Sequence, residues 1–589
     1  MHVAVLKKEK CHSKKCNHEC QYFCPPVRNG IPTVEFIEGQ NEPVITEKLC
    51  IGCGICAKRC PFGAIAIVNV PDELNREIVH QYSENSFRLY SLPLLSKGKV
   101  VSILGKNGLG KTTALNILAG IVVPNFGNFS AGSDKDAVVE KYAGTLMGRY
   151  FKDLYDGKNR VAMKSQYVDQ IPRVAKGNVR SLLKKVDERE IMDELTDQLG
   201  LKNSLDRDIT HCSGGELQKI AVASTLMKEA DTYLFDEISS YLDIGERIRI
   251  ASVIQKLAQD RAVMVVEHDL AILDWLADEI SPVYGEAGAY GVITKQRASN
   301  KAINAFLGGY LREENVRIRE YEIAFSRRST VRSTSSAEAV SWQTMEKEFD
   351  GFHLKVNPGT LYKGEIVGCL GRNALGKTTF MKMLAGVLKP DKGDVSNSLR
   401  ISYKPQYIST EFDGTVRDLF MQTLKEKIED SFIKAEVMHP MDVHEIMDSY
   451  VQDLSGGELQ RASIALSLAN EADFYLLDEP SAHLDSEYRM AVGKVLKRVM
   501  ENTGKPAMVI DHDVYFIDLI SDRLMVFRGE QGKEGESFGP MPMRNGMNIF
   551  LKELGITFRR DQKTERPRIN KLESSNDRSQ KESGEYYYS

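Results

Sequence analysis

Eight of the ten cysteines lie within the first sixty residues, in two groups that each end in Cys-Pro. Cys50, Cys53, Cys56 and Cys60, followed by Pro61, follow the spacing C-x2-C-x2-C-x3-C-P that presents four thiolates to a 4Fe–4S cluster. Cys11, Cys16, Cys20 and Cys24, followed by Pro25, form a looser run with the same ending. Two four-cysteine zinc sites are the competing reading. The Cys-Pro endings and the tight second run favour iron–sulfur, so two 4Fe–4S clusters are expected. In two-cluster arrangements the fourth cysteine of each run serves the other cluster. That logic groups Cys11, Cys16 and Cys20 with Cys60, and Cys50, Cys53 and Cys56 with Cys24.

A second chemistry occurs twice. GKNGLGKTT at 105–113 and GRNALGKTT at 371–379 are glycine-rich phosphate loops. Backbone N–H groups of such a turn, together with the positive end of the following helix, make a concave anion site. Gly105, Asn107, Gly108 and Gly110 shape the first loop, and Gly371, Asn373 and Gly376 the second. Lys111 and Lys377 should reach the β- and γ-phosphates of ATP or ADP. Thr112 and Thr378 should ligate Mg2+, with Thr113 and Thr379 beside them. Each loop is followed by an apolar run ending in Asp-Glu. Asp236 and Asp478 should hold the Mg2+ shell, and Glu237 and Glu479 are the expected general bases. Gln166 and Gln406 are expected at the metal and the attacking water. His268 and His512 follow a later apolar run and are expected at the γ-phosphate. A carboxylate at a strand end is usually a solvated cap, but Glu237 and Glu479 repeat at a fixed offset from a phosphate loop.

The elements that must position these groups form an internal repeat. SGGE occurs at 213–216 and 455–458, and the interval from signature serine to Asp is the same in both copies. An apolar strand, Val100 to Leu104 in one copy and Ile366 to Leu370 in the other, should feed each loop. Between loop and glutamine the first copy is longer by about 26 residues. The extra stretch, about 130–160, mixes aromatics with lysines and arginine and reads as a helical hairpin. The expected organisation is a cysteine-rich domain at 1–72, a first cassette at 73–283, a connector at 284–340, a second cassette at 341–529 and a tail region at 530–589. The last ~25 residues are polar without apolar periodicity, which predicts disorder in isolation. The fold class is α/β, two phosphate-loop domains preceded by a small α+β domain.

Composition sets limits. A chain of 589 residues exceeds one hydrophobic core, and 42% apolar with 27% charged residues is ordinary for globular proteins. No apolar stretch approaches the ~20 residues that cross a bilayer. No signal-peptide pattern is present. A cytoplasmic protein with no membrane association is therefore expected, which disfavours a self-contained transporter. The net charge of -4 says little about partners. Lys7, Lys8, Lys10, Lys14, Lys15 and Arg28 nonetheless cluster around the first cysteine run, where they could face nucleic-acid phosphate.

SGGE between a phosphate loop and an Asp-Glu strand is the signature of ABC-type ATPases. With CGICAKRCPFGAI, SQYVD, SSYLDI, VVEHDLAILD, KPQYI and the ending GITFRRD…RP…GEYYYS, the whole chain resembles the class E ABC proteins, the iron–sulfur ribosome-recycling ATPases of archaea and eukaryotes. The resemblance implies a ferredoxin-like domain preceding two ABC cassettes. It implies that these close head to tail within one monomer. Ser455 and Gly457 would then complete the site of Lys111, and Ser213 and Gly215 that of Lys377. It implies ribosome splitting after termination or rescue, beside a release factor or its Pelota-type relative, with small-subunit rRNA and proteins as partners. The inserted hairpin and two hinges would be the main ribosomal contacts. An electron-transfer protein with ATPase-powered reduction is the alternative, although no flavin or nicotinamide site is apparent.

Four positions depart from the cassette pattern: Ala374 in place of a loop glycine, Ile238 where proline usually follows the catalytic Glu, Cys212 in place of leucine, and Asp511 in place of Glu. The departures leave open whether the two sites turn over equally. Candidates for stacking on adenine are Tyr82 or Phe87 in the first cassette and Phe349 or Phe352 in the second.

Overall fold

Long runs of β-branched and aliphatic residues, buried on both faces, are what parallel strands inside a layered α/β sheet require. The computed structural model, which describes residues 2–37, 39–69, 78–129, 134–325, 337–394, 399–406 and 411–587, builds two such sheets. The expected junction at 72/73, the start of the inserted hairpin at 130–133 and residues 326–336 of the first connector lie outside the described residues. The chain packs as two units. One comprises 1–238, 253–267 and 277–320, the other 239–252, 268–276 and 321–589.

In the first unit, β1 (His2–Leu6) pairs antiparallel with β2 (Ile65–Asn69). Three short helices, Glu19–Tyr22, Pro25–Arg28 and Ile55–Arg59, lie between them in the chain; Cys20 and Cys56 lie on helices, Cys24 and Cys60 at helix ends, and Cys11, Cys16, Cys50 and Cys53 in connecting loops. Their core combines Ala4, Leu6, Val34, Ile45, Ala64 and Ile65 with Cys20, Cys24 and Cys56. Next come β3 (Ile78–Gln81), β4 (Arg88–Tyr90), β5 (Val100–Leu104) and helix α1 (Lys111–Leu118). Helices α2 (Lys135–Lys141) and α3 (Leu146–Tyr155) follow, capped by the side chains of Asp134 and Thr145. They bury Val138, Met147 and Phe151 in the core and stack Phe151 between Tyr142 and Tyr155. The rest of the sheet is β6 (Val161–Lys164), β7 (Thr232–Asp236), β8 (Ala262–Val266), β9 (Glu279–Glu286) and β10 (Tyr290–Ile293), with α4 (Gly214–Leu226) before β7. The spatial order is β3-β4-β10-β9-β5-β8-β7-β6, with β5 parallel to both neighbours. The phosphate loop thus leaves the carboxyl end of a central strand, where open α/β sheets bind ligands.

The second unit repeats the plan. Its strands are β11 (Met345–Phe349), β12 (Phe352–Val356), β13 (Ile366–Leu370), β14 (Ile401–Lys404), β15 (Phe474–Asp478), β16 (Ala507–Ile510), β17 (Arg523–Arg528) and β18 (Glu534–Pro542). The order β11-β12-β18-β17-β13-β16-β15-β14 matches the first sheet strand for strand. Helices α5 (Lys377–Leu384) and α6 (Gly456–Ala469) correspond to α1 and α4. Both signature motifs are capping boxes: Ser213 and Glu216, and Ser455 and Glu458, satisfy each other's backbone N–H groups.

The expectation of a disordered C-terminus is not met. Strands Phe558–Arg560 and Pro567–Ile569 form a hairpin, and Ser575–Ser583 is helical. Order comes from buried polar pairing, which apolar periodicity does not reveal. Arg566, fully buried, lies 3.2 Å from Asp274, and Arg568 lies 2.6 Å from the same carboxylate. Arg560 and Tyr587 both bond Asp518.

Candidate functional site

In each cassette the loop lysine lies against its own loop. Lys111 Nζ donates to the carbonyls of Gly105 (2.9 Å) and Lys106 (2.7 Å) and to Asn107 Oδ1 (3.2 Å). Lys377 Nζ donates to the carbonyls of Gly371 (2.9 Å) and Arg372 (2.7 Å). Gly110 and Gly376 cap α1 and α5 at φ +85° and +88°, and a Cβ at Gly110 would meet the Phe87 ring at 2.6 Å. Ala374 adopts φ +58° in the loop, so the alanine takes the left-handed backbone that glycine adopts without strain. Asn373 N donates to Asp243 (3.2 Å). Burial, which would raise the Asp243 carboxyl, is outweighed by backbone donors, led by Glu246, and it titrates below its usual range.

The Asp-Glu pairs end β7 and β15. Thr112 Oγ1 donates to Asp236 Oδ2 at 2.9 Å, and burial raises the Asp236 carboxyl. Both carboxylate oxygens of Asp478 are buried, with only a loose contact to the Thr378 hydroxyl, and burial pushes that carboxyl up to about 6. A buried carboxylate short of donors is costly unless a cation balances it. The all-oxygen donor set of threonine hydroxyl, glutamine amide and aspartate suits Mg2+. Gln166 Nε2 donates to Glu237 Oε1 at 2.6 Å, and Gln406 Nε2 to Glu479 Oε1 at 2.7 Å. His512 Nε2 lies 3.4 Å from Glu479 Oε1. Burial, which would raise Glu479, is outweighed by His512 and Gln406, and the carboxyl falls to about 2. His268 lies in the second unit, where its carbonyl accepts from Ser486 Oγ at 2.7 Å. Ser213 and Ser455 each donate a hydroxyl to the capping glutamate of their own helix.

Glu237 and Glu479 both have left-handed backbones, at φ +53° and +48°. Such a conformation costs a non-glycine residue about 1–3 kcal/mol and persists only where surroundings over-determine it. Here each N–H reaches a neighbouring strand, Val266 O at 2.9 Å or Ile510 O at 2.8 Å. Each carbonyl accepts from two side chains that the motif reading passed over. Lys164 and Gln218 donate to Glu237 O, both at 2.7 Å; Lys404 and Gln460 donate to Glu479 O at 3.3 and 2.7 Å. Their signal was present in the repeat. The lysine stands two residues before the loop glutamine, and the second glutamine five after the signature serine, in both copies.

The aromatic candidates separate. Phe87 and Phe352 pack behind Gly110 and Gly376 as core. Tyr82 is 50% exposed, with its hydroxyl 3.2 Å from Thr113 Oγ1, and Phe349 is 42% exposed.

The cysteine thiols are close neighbours of one another. Burial pushes Cys20 up to about 12, with Cys60 and then Cys16 as its nearest like-charged neighbours; Cys11 is raised by burial and then by Cys60 and Cys16. Burial pushes Cys56 up to about 11, and Cys50, Cys53 and Cys24 add to it. Cys24, Cys50, Cys53 and Cys56 line one small cavity walled by Pro26, Val34, Ile45 and Ile51. Thiols gathered at an apolar wall suit a cluster that takes them as thiolates. None of the eight is in a disulfide.

A family model described as ABC transporter matches residues 94–240 and 354–482. Models for a possible Fer4-like domain in RNase L inhibitor and for a 4Fe-4S binding domain match 1–31 and 43–66. The solved structure described as a model of ribosome-bound archaeal Pelota and ABCE1 matches with 48% identity and TM-score 0.93, covering 100% of this chain and 99% of that one. Translation initiation factor RLI1 of Chaetomium thermophilum is 42% identical over 100% of this chain and 97% of its own. The chain belongs to the class E ABC proteins. An uncharacterized ABC transporter ATP-binding protein of Methanocaldococcus jannaschii is 47% identical over 100% of this chain and 98% of its own length.

This class E protein is thus an ABC-type ATPase with an N-terminal iron–sulfur domain. Two of its departures from the cassette pattern have one cause. Ile238 keeps an N–H and donates it to Glu267 Oε2 at 3.2 Å. Pro480 has no N–H to give, and the shorter Asp511 instead accepts from the backbone and hydroxyl of Ser481 at 2.9 and 2.6 Å. In each cassette the acid before the histidine thus accepts from the segment that follows the Asp-Glu pair.

Proposed function

We propose that this class E protein is an ATP-driven ribosome-recycling factor that splits ribosomes into subunits after termination or rescue. The observation that carries the reading is two phosphate-loop cassettes and an iron–sulfur domain in one chain, similar along its full length to a protein described as ribosome-bound with Pelota. In each site the phosphate loop binds the nucleotide, and Glu237 or Glu479, oriented by Gln166 or Gln406, takes the proton of the attacking water. Thr112, Gln166 and Asp236, and Thr378, Gln406 and Asp478, would hold Mg2+. Bound there, the ion supplies charge neutralisation between the β- and γ-phosphates. His268 and His512 contact the γ-phosphate, and Tyr82 and Phe349 stack on adenine.

Ser455 and Gly457 complete the site of Lys111 when the cassettes close, and Ser213 and Gly215 that of Lys377. Backbone N–H groups at a capped helix start recognise a γ-phosphate that hydrolysis removes. Closure and release then move the iron–sulfur domain against the small subunit, beside a release factor or Pelota-type partner. Two 4Fe–4S clusters are held by Cys11, Cys16, Cys20 and Cys60, and by Cys50, Cys53, Cys56 and Cys24. The work is cytoplasmic, and no helix among the described residues is long and apolar enough to cross a membrane.

The test is sucrose-gradient sedimentation of ribosomes with cluster-loaded protein, rescue factor and ATP, beside the Glu237→Gln/Glu479→Gln double variant. The expected result is conversion of ribosomes to subunits, with the double variant retained on the small subunit. Intact ribosomes under every nucleotide condition, with clusters that accept electrons, would replace recycling by the electron-transfer reading.

A further inference from the structure

We propose that Lys164 and Lys404 are positioning residues of the two ATP sites, holding the backbone that aims each catalytic glutamate and never touching nucleotide. A lysine at the carboxyl end of a sheet strand beside a phosphate loop would ordinarily be read as a phosphate ligand. The geometry assigns it otherwise. Lys164 Nζ donates to the carbonyls of Ser165 (3.1 Å), Asp236 (2.9 Å) and Glu237 (2.7 Å). Lys404 Nζ donates to the carbonyls of Asp478 (2.9 Å) and Glu479 (3.3 Å). The two side chains are 2% and 1% exposed, so each ammonium lies behind the Asp-Glu pair.

A buried ammonium is expensive to maintain, and apolar residues could fill the same space at less cost. Two properties of the site account for its presence. The first is charge. Lys164 lies among Asp236, Glu237 and Glu267, and Lys404 among Asp478, Glu479 and Asp511. One fixed cation lowers the repulsion within each carboxylate trio from the side away from the phosphates. The second is conformation. The left-handed turn at Glu237 and Glu479 points a carbonyl into the protein interior, where it must be satisfied. The lysine and Gln218, or Gln460, supply the donors. Without the lysine, one carbonyl of the Asp-Glu peptide pair loses its partner and the other keeps a single donor, so the glutamate can leave its turn. The arrangement arises independently in both cassettes, from edge strands that share no residue.

This inference rests on Glu237 and Glu479 being the bases. The test uses the full cluster-loaded chain and measures single-turnover ATP hydrolysis and ADP affinity by calorimetry. The variants are Lys164→Met and Lys404→Met, each alone and combined with the Glu→Gln change of its own cassette. Misaiming a catalytic group by about 1 Å costs roughly a hundredfold, so each methionine variant should lower its site's turnover about tenfold to a hundredfold, with ADP affinity within about threefold. In the Glu→Gln background the same change should cost nothing further, because the lysine acts only through the glutamate. Lys164→Gln and Lys404→Gln, which retain one donor, should fall between parent and methionine variant, and they carry the test if a methionine variant does not fold. Unchanged turnover, loss of ADP affinity in step with turnover, or a loss that adds fully to Glu→Gln would each overturn the proposal. Full activity of the Glu→Gln variants would instead remove the assignment of the bases.

Discussion

At the residue scale, two adjacent carboxyls are tuned in opposite directions by their surroundings. Burial outweighs the Thr378 hydroxyl at Asp478 and pushes it up, whereas Glu479, its chain neighbour, has His512 and Gln406 and is pulled down. The two shifts run in opposite directions, as the proposed division into a cation ligand and a general base requires. Replacing Glu479 by Gln is expected to lower turnover at the second site about 10²- to 10⁴-fold, read by single-turnover hydrolysis. The Ile238–Glu267 link makes a separate prediction. Ile238→Pro removes a buried donor and should destabilise the first cassette by about 1–3 kcal/mol in denaturant unfolding. Adding Glu267→Asp, which imports the chemistry of the second cassette, should recover part of that loss.

At the scale of elements, the phosphate-loop helix depends on what lies behind it. Gly110 combines a left-handed backbone with a Phe87 ring where a Cβ would stand, so Gly110→Ala must displace either ring or loop. ATP affinity should fall by about tenfold or more, about 1.4 kcal/mol, whereas alanine at Gly144, also left-handed at φ +78° but with no atom within 4 Å of a Cβ, should strain only its own turn and leave ATP affinity unchanged. The segment before β4 ties the cysteine-rich domain to the first cassette. Asn85 accepts from Ile45 N and donates to the carbonyls of Ile45 and Ala4, and Arg88 forks onto Glu47 at 2.7 and 2.8 Å. Asn85→Ala leaves three buried backbone groups unpaired and should cost about 2–3 kcal/mol in denaturant unfolding. Little of this strap was legible: one Asn in a turn and one Arg at a strand start carry no period and no motif.

At the scale of the whole molecule, the two repeats share strand order and register, and the second unit adds a C-terminal hairpin organised by charge. Asp274 and Asp518 stand five residues beyond the Asp that follows each histidine, and both are occupied by arginines of that hairpin region. Asp274→Asn would leave Arg566 and Arg568 without their carboxylate in a buried site. It should destabilise the second unit by about 3–5 kcal/mol and expose the hairpin to limited proteolysis. A uniformly polar tail reads as disordered because periodicity reports only apolar burial. Here the order is carried by ionic and hydrogen-bonded partners far away in the chain.

The sequence by itself determined the two phosphate loops, their Asp-Glu strands, the capped signature helices and the cysteine runs, because each depends on contacts within a few residues and appears twice or at fixed spacing. The same recurrence singled out Gln166 and Gln406, which the fold brings onto Glu237 and Glu479. Only the tertiary structure decided which aromatics pack against the core, that Lys164 and Lys404 donate to the carbonyls of the Asp-Glu pairs, that Ile238 donates to Glu267 while Ser481 donates to Asp511, and that the C-terminus is ordered. Each of these depends on which buried carbonyl or carboxylate lies within about 3 Å of a donor, and hydrogen-bond partners joined across the fold leave no local pattern in the chain.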